Sequence, residues 1–277
     1  MEQLREHSAE YPLTDLSLAR RLERAEGRAN VAFVEARARV EPNVGATWTS
    51  VAGVFAMFDG VHSPLTQTFG LGVFEHVGDA EFARLESFFR ERGAQPAHEV
   101  CPFIAPDTLA RLNGRGYRPA EFSTVLVRPT ALPTAPASHV SAREITPDER
   151  ELWSSIAGEG WSTESAEVGA FVEAFGRVVT RANGVHCFMA EKDGVAIAAG
   201  TLTLTEDVAL LSGATTIPSG RNQGAQRALL DARLRYARAQ GIGLAMMVAA
   251  PGSASQRNAE RQGFRIAYTR TKWQTTE

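Results

Sequence analysis

At 277 residues the chain is long for one compact domain and comfortable for two of about 140. Hydrophobic residues make up 44% and charged ones 22%, and the net charge of -3 gives no bulk reason to expect nucleic acid or an acidic membrane as partner. Cys101 and Cys187 show neither metal nor redox spacing, no apolar run reaches the roughly 18 residues of a membrane span, and MEQLREHSAEYPL lacks the apolar core of a signal peptide, so a cytoplasmic protein is expected.

The first patterned segment is GDAEFARLESFFRERG, a predicted helix with Phe82, Leu85 and Phe89 on one face, closed by Gly93. AHEVCPFI, APDTLARLNG and GYRPAEFSTVLVRP then read as strand, helix and strand. A linker follows at RPTALPTAPASHV, residues 128–140, where Pro129, Pro133 and Pro136 stand among small residues with no apolar period. The boundary is placed there, giving domains 1–132 and 133–277.

Beyond it, Thr146-Pro147-Asp148-Glu149 has the cap, first-turn proline and capping-box acid that open a helix. A second helix fits 165–182, with Val168, Phe171, Val172, Phe175 and Val179 at three- and four-residue steps. HCFMAEK, VAIAAGTLTL and VALLSGATTI are β-prone runs joined by the short turns Asp193-Gly194 and Glu206-Asp207, which argues for antiparallel hairpins. The loop RNQGAQ, residues 221–226, leads into a helix over 223–240. The strand GLAMMVAA, a short helix over 253–262 and the strand FRIAYTRTKW complete the series. The expected fold class is α/β, as a mixed and mostly antiparallel sheet with flanking helices. Gly93 aligned with Gly241, and Gly116 with Gly263, give nearly the same offset, so the two halves read as a duplicated domain.

A glycine loop between strand and helix can bind an anion, because the first helical N–H groups lack internal partners and lie at the positive end of the helix dipole. The alternative is a plain connecting turn. No Lys-Ser or Lys-Thr follows, so a phosphate-loop NTPase is set aside, and 242–250 lacks the acid a dinucleotide fold needs.

Antiparallel strands, then Arg-x-x-Gly leading into a helix, then a strand and SASQRNAERQGF, together resemble the GNAT acetyltransferase family over roughly residues 141–277. The resemblance implies acetyl-CoA as co-substrate and no metal. Its pyrophosphate would rest on Arg221, Asn222, Gln223, Gly224, Ala225 and Gln226, with Arg227 nearby. Its pantetheine arm would run along Ala214, Thr215 and Thr216, between strands that splay apart. Ser255 and Asn258 join the cofactor-binding candidates. Gln226 stands where the family has Gly or Ala, so its side chain must turn away. Ala259 stands where the family often places a Tyr as general acid.

The implied activity is acetyl transfer to a primary amine of a small molecule or peptide, by direct attack in a ternary complex of a monomer or homodimer. The amine must lose a proton, and Glu159, Glu164 and Glu206 are the candidate bases, against the ordinary reading of each as a solvated surface acid. Tyr268 is the candidate replacement acid, against ordinary strand packing. Trp153 and Trp161 flank the expected acceptor segment GEGWSTES, as a substrate wall or as core. In the first half, the position matching the loop reads VFEHVG, where Glu75 would oppose a pyrophosphate, so that half is expected to lack the CoA site. The competing readings are a non-catalytic CoA-binding or sensing module and an interaction protein whose glycine loop is only a turn.

Overall fold

The computed structural model describes residues 10–134 and 139–275; Pro136 of the predicted linker and most of the N-terminal segment lie outside them. In chain order the elements are α1 (Leu16–Val40), β1 (Thr47–Val51), β2 (Val54–Phe58), β3 (Gln67–Phe69), α2 (Asp79–Arg90), β4 (Ala97–Val100), α3 (Pro106–Gly114) and β5 (Tyr117–Pro129). There follow β6 (Ser141–Glu144), α4 (Arg150–Trp161), α5 (Ala166–Val179), β7 (Val185–Lys192), β8 (Val195–Leu204), β9 (Val208–Thr216), α6 (Ala225–Ala239), β10 (Leu244–Ala249), α7 (Ala254–Arg261) and β11 (Arg265–Thr275). The predicted opening of a helix at Thr146 is a single tight turn, Pro147–Glu149, with Glu149 Oε2 accepting from the Thr146 amide at 2.8 Å, and α4 continues from it. No described helix is long and apolar enough to cross a membrane.

The chain forms two compact units that do not coincide with 1–132 and 133–277. An N-terminal unit comprises Pro12–Val127 together with the chain from Val248 onward, and a central unit comprises Arg128–Met247 together with Glu10 and Tyr11. The chain passes from one unit to the other between Val127 and Arg128 and returns between Met247 and Val248, so that α7 and β11 belong to the N-terminal unit. Hydrogen bonding is the reason: in the N-terminal unit the strand order is β1-β2-β3-β4-β11-β5, and β11 runs antiparallel to both β4 and β5. The central unit has the order β10-β9-β8-β7-β6, antiparallel except for the parallel β9–β10 pair. The fold is thus a mixed α/β one, with open mixed sheets flanked by helices.

Two series of helix, strand, helix and strand recur, α2-β4-α3-β5 and α6-β10-α7-β11. Gly93 and Gly241 follow the first helix of each at φ 73° and 78°, and Gly116 and Gly263 follow the second at φ 84° and 83°, a left-handed backbone that only glycine adopts without strain.

α1, for which the sequence reading has no counterpart, starts at Asp15, whose carboxylate accepts from the Leu18 amide at 2.8 Å. Its apolar face carries Leu18, Leu22 and Val34, and Gly27 lets Phe55 of β2 approach where a Cβ would collide. The same face buries Glu23. Arg270 of β11 meets Glu26 in a bidentate pair at 2.5 and 2.7 Å, and also faces Glu23 at 3.5 Å and Glu99 at 3.1 Å. Three carboxylates therefore share one buried guanidinium.

Burial, opposed by Arg270, pushes the Glu99 carboxyl up from 4.5 to about 6. The folded chain then holds a proton that the unfolded chain has released, so this group's stabilising contribution is full below pH 4.5 and is lost as pH rises through about 6. Replacing Glu99 with Gln should stabilise the protein at pH 8 by about 2 kcal/mol and flatten the fall in stability over that window. Urea unfolding at pH 4.5, 6 and 8 reads this, and equal loss at every pH would refute it.

Candidate active site

In the central unit β9 is held between two helices on opposite faces of the sheet. Gly200 of β8 lies against Arg233 of α6, whereas its neighbour Ala199 pairs with Thr215, which packs on Gly160 of α4. Gly160 stands in the last turn of α4, where a Cβ would lie 2.0 Å from Thr215 Oγ1. The β8–β9 ladder is regular from Leu204–Ala209 to Thr201–Ser212, then resumes at Ala199–Thr215. Gly200 therefore opposes both Gly213 and Ala214, a β-bulge in which Gly213 has φ 60°.

On its other side β9 pairs with β10 only from Val208–Leu244 to Leu210–Met246. Beyond Leu210 that edge has no ladder partner among the described residues, and Ser212, Gly213 and Ala214 are exposed. This is the parting of strands expected from the sequence.

β9 turns through Pro218–Gly220 into the glycine loop. Asn222 takes φ 59°, which Asn tolerates best of the non-glycine residues, and Gly224 takes φ 91° as the N-cap of α6. The cap has no side-chain hydrogen bond, the first turn holds no acid, and nothing lies within 4 Å of where a Gly224 Cβ would be. The first helical bond runs from the Ala228 amide to the Gly224 carbonyl at 3.0 Å, so the amides of Ala225, Gln226 and Arg227 precede the ladder.

The side chains around this loop largely engage one another. Gln226 turns back, its Nε2 donating to Thr216 Oγ1 at 2.8 Å. Gln223 Nε2 donates to the Ser219 carbonyl at 2.7 Å, and its Oε1 accepts from Lys192 Nζ at 2.6 Å. Arg221 reaches the end of α4, donating to Thr163 Oγ1 at 3.0 Å and to the Gly160 carbonyl at 3.4 Å. Arg227 is exposed. What the loop presents is therefore mainly backbone, with Lys192 as a neighbouring cation that the sequence reading does not include. Lys192 ends β7, far from the loop in sequence, and the fold alone brings it there.

The helix in the matching place of the N-terminal unit differs in kind. α2 begins with Asp79 and Glu81 in its first turn, and Glu81 Oε2 accepts from the Gly78 amide at 3.0 Å. Asp79 is paired with Arg111 at 2.6 Å and Arg115 at 3.0 Å, and Arg111 holds its carboxyl below the usual range. Carboxylates of the chain already occupy the positive end of this helix.

The candidate acids and bases separate. Glu159 and Glu164 are exposed at the end of α4 and in the turn before α5, the segment that Arg221 grips. Glu206 is corrected: it sits in the turn before β9, at the end opposite Thr216, and a strand of 9 residues spans roughly 30 Å. Tyr268 is corrected too, because burial raises its pKa well above the ordinary value and its hydroxyl donates to Glu23 at 2.9 Å inside the N-terminal unit. Trp153 is core, its indole donating to the Phe188 carbonyl at 2.9 Å, whereas Trp161 is exposed. Ser255 and Asn258 are exposed on α7 of the N-terminal unit, where Ser253 makes the cap and Asn258 Oδ1 accepts from Arg261 at 3.1 Å. Ala259 beside them is buried.

Residues 146–264 match the Acetyltransferase (GNAT) family. This segment is similar to the acetyltransferase domains of that family. No curated protein is significantly similar in sequence. Among solved structures, a GCN5-related N-acetyltransferase from Kribbella flavida aligns with a TM-score of 0.60 at 18% identity, covering 89% of this chain and 96% of that one. A tandem GNAT protein from the clavulanic acid biosynthesis pathway aligns at 0.54 and 17% identity over 79% of this chain and 77% of that one. A GCN5-related N-acetyltransferase from Sphaerobacter thermophilus aligns at 0.51 and 15% identity over 75% and 70%. At these identities the likeness is one of fold, and it extends beyond residues 146–264.

Proposed function

We propose that the chain is an acetyl-CoA-dependent N-acetyltransferase with one CoA site, at the start of α6, acting on a primary amine of a small molecule or peptide. The observation that carries this reading is the open, acid-free N-terminus of α6 beside the unpaired edge of β9. The residues fit the group: the amides of Ala225, Gln226 and Arg227 suit pyrophosphate oxygens, and the Gly224 position leaves room for them. The exposed stretch at Ala214 suits strand-like pairing with an amide-bearing arm. Acetyl-CoA would supply a thioester carbonyl whose leaving group, a thiolate, departs without an obligatory acid.

Glu159 or Glu164 would accept the amine's proton through water, since both lie beside the loop's anchor on α4. The two halves are read as duplicates of which the first has lost the site, Asp79 and Glu81 standing where an anion would bind. Two buried, unpaired cysteines suit a reducing cytoplasm. A second reading, a CoA-binding sensor without catalysis, is favoured by the buried Ala259 at the family's usual acid position.

Acetyl-CoA at 100 times its dissociation constant should stabilise the fold by about 2.7 kcal/mol in a thermal melt. No shift at millimolar acetyl-CoA would end both readings. Release of free thiol with polyamines, aminoglycosides, amino acids or peptides separates enzyme from sensor.

A further inference from the structure

The face that α6 turns to the sheet is apolar, with Ala228, Leu229, Ala232, Leu234 and Ala237, except for Arg233, which is 4% exposed. No carboxylate pairs with this guanidinium among the described residues. Burial alone acts on it, lowering its pKa to about 10, so it stays charged at neutral pH. An uncompensated buried charge is costly, and packing would be served better by Leu or Met.

Its partners are all carbonyls. Nε donates to the Leu229 carbonyl at 3.1 Å, and Nη1 donates to the Thr201 carbonyl at 3.0 Å and the Ser212 carbonyl at 3.4 Å. Thr201 and Ser212 are the last regular pair before the bulge. Ser212 O also accepts from Thr201 Oγ1 at 3.0 Å. Gly200 keeps the space open, since a Cβ there would lie 3.1 Å from Arg233 Nη1.

In a trans peptide the carbonyl and the following N–H point in opposite directions, and no peptide among the described residues is cis. With the Ser212 carbonyl drawn toward α6, the Gly213 N–H is aimed away from the guanidinium. A charge-assisted bond at the oxygen also polarises the peptide and strengthens its N–H as a donor.

We propose that Arg233 is a positioning residue for acyl transfer, fixing and polarising the Ser212–Gly213 peptide so that the Gly213 amide stabilises the oxyanion of the reaction. This rests on the acetyltransferase reading above. The amine nitrogen bonds to the acyl carbon and the carbonyl pair moves onto oxygen, where the amide meets it. The pair returns as the carbon–sulfur bond breaks, sulfur leaves as thiolate, and the amine's proton passes through water to a carboxylate.

The test uses the full chain with Arg233→Met and Arg233→Lys, acetyl-CoA, and the amine of the panel that the wild type acetylates fastest. We expect Arg233→Met to lower kcat roughly 10- to 100-fold, with KM and calorimetric Kd for acetyl-CoA within threefold, and Arg233→Lys to recover part of the loss. A folded Met variant with unchanged kcat overturns the proposal. So does a loss of kcat that only tracks falling Tm, with Lys no better than Met. If the Met variant does not fold, the Lys variant decides, by reduced kcat at wild-type Tm or by none. A wild type that binds acetyl-CoA but releases no thiol with any amine ends the catalytic reading, and this proposal with it; an active wild type with indifferent variants ends this proposal alone.

Discussion

Gly224→Glu abolishes acetyl-CoA binding and leaves the fold in place: that is the result expected from the start of α6. Gly224 has φ 91°, so any side chain costs about 1 kcal/mol of backbone strain. No atom lies within 4 Å of the new Cβ, and a carboxylate at a helix N-terminus regains about 0.3–1 kcal/mol from the dipole. The two nearly cancel, and the melt should move by only a few degrees. The same carboxylate takes the amides of the first turn for itself and repels the pyrophosphate. Affinity should fall at least about 100-fold, or about 2.7 kcal/mol. Isothermal titration of both variants is the measurement, with His76→Glu, in the matching loop of the N-terminal unit, as the control that keeps wild-type affinity. Equal losses in both would place the site wrongly.

The second large effect concerns stability. Arg270→Met removes the cation from Glu23, Glu26 and Glu99 at once, and Met cannot replace its bond to Ser123 Oγ at 3.0 Å. Breaking a buried pair typically costs 3–5 kcal/mol, a large part of a domain's usual 5–15. Burial raises the Glu23 and Glu99 pKa values even with Arg270 present, and without it both rise further. Proton uptake by the folded state then extends to higher pH, so the variant should lose stability more steeply than wild type as pH rises from 5 to 8. Urea titrations at those two pH values measure both the deficit and its slope. A variant as stable as wild type at pH 7 would show that the cluster is carried by packing alone.

Local order in the second half was largely legible. The run VAIAAGTLTL coincides with β8, and the predicted helices over 165–182 and 253–262 exceed α5 and α7 by only a few residues at their ends. α5 shows a clean apolar period, whereas α7 is polar with only Ala259 buried and is marked by its ends, a Ser253 cap and Gly263. α1 escapes the same reading because its buried side includes Glu23, Gly27 and Arg37, which breaks the apolar stripe. Strand exchange was not legible at all: FRIAYTRTKW is plainly a strand, but nothing in its alternation names β4 and β5 as its neighbours. That one fact moved Tyr268 from a proton donor to a buried partner of Glu23.

The glycine loop was legible because its requirements are backbone requirements, read directly from Gly224 and Asn222. The bases were not, since adjacency in sequence says little about which end of a strand a turn occupies, as Glu206 shows. Lys192 and Arg233 depend on contacts across 31 and 32 residues, and neither belongs to a motif.

The placing of β11 between β4 and β5 also sets an order of assembly. During synthesis β4 and β5 leave the ribosome with a vacant lane between them, and the strand that fills it is made only after the whole central unit. The beginning of the chain must wait with two unpaired strand edges exposed, the state most prone to wrong pairing. The middle can close first, so the protein should mature from its centre outward rather than from its N-terminus.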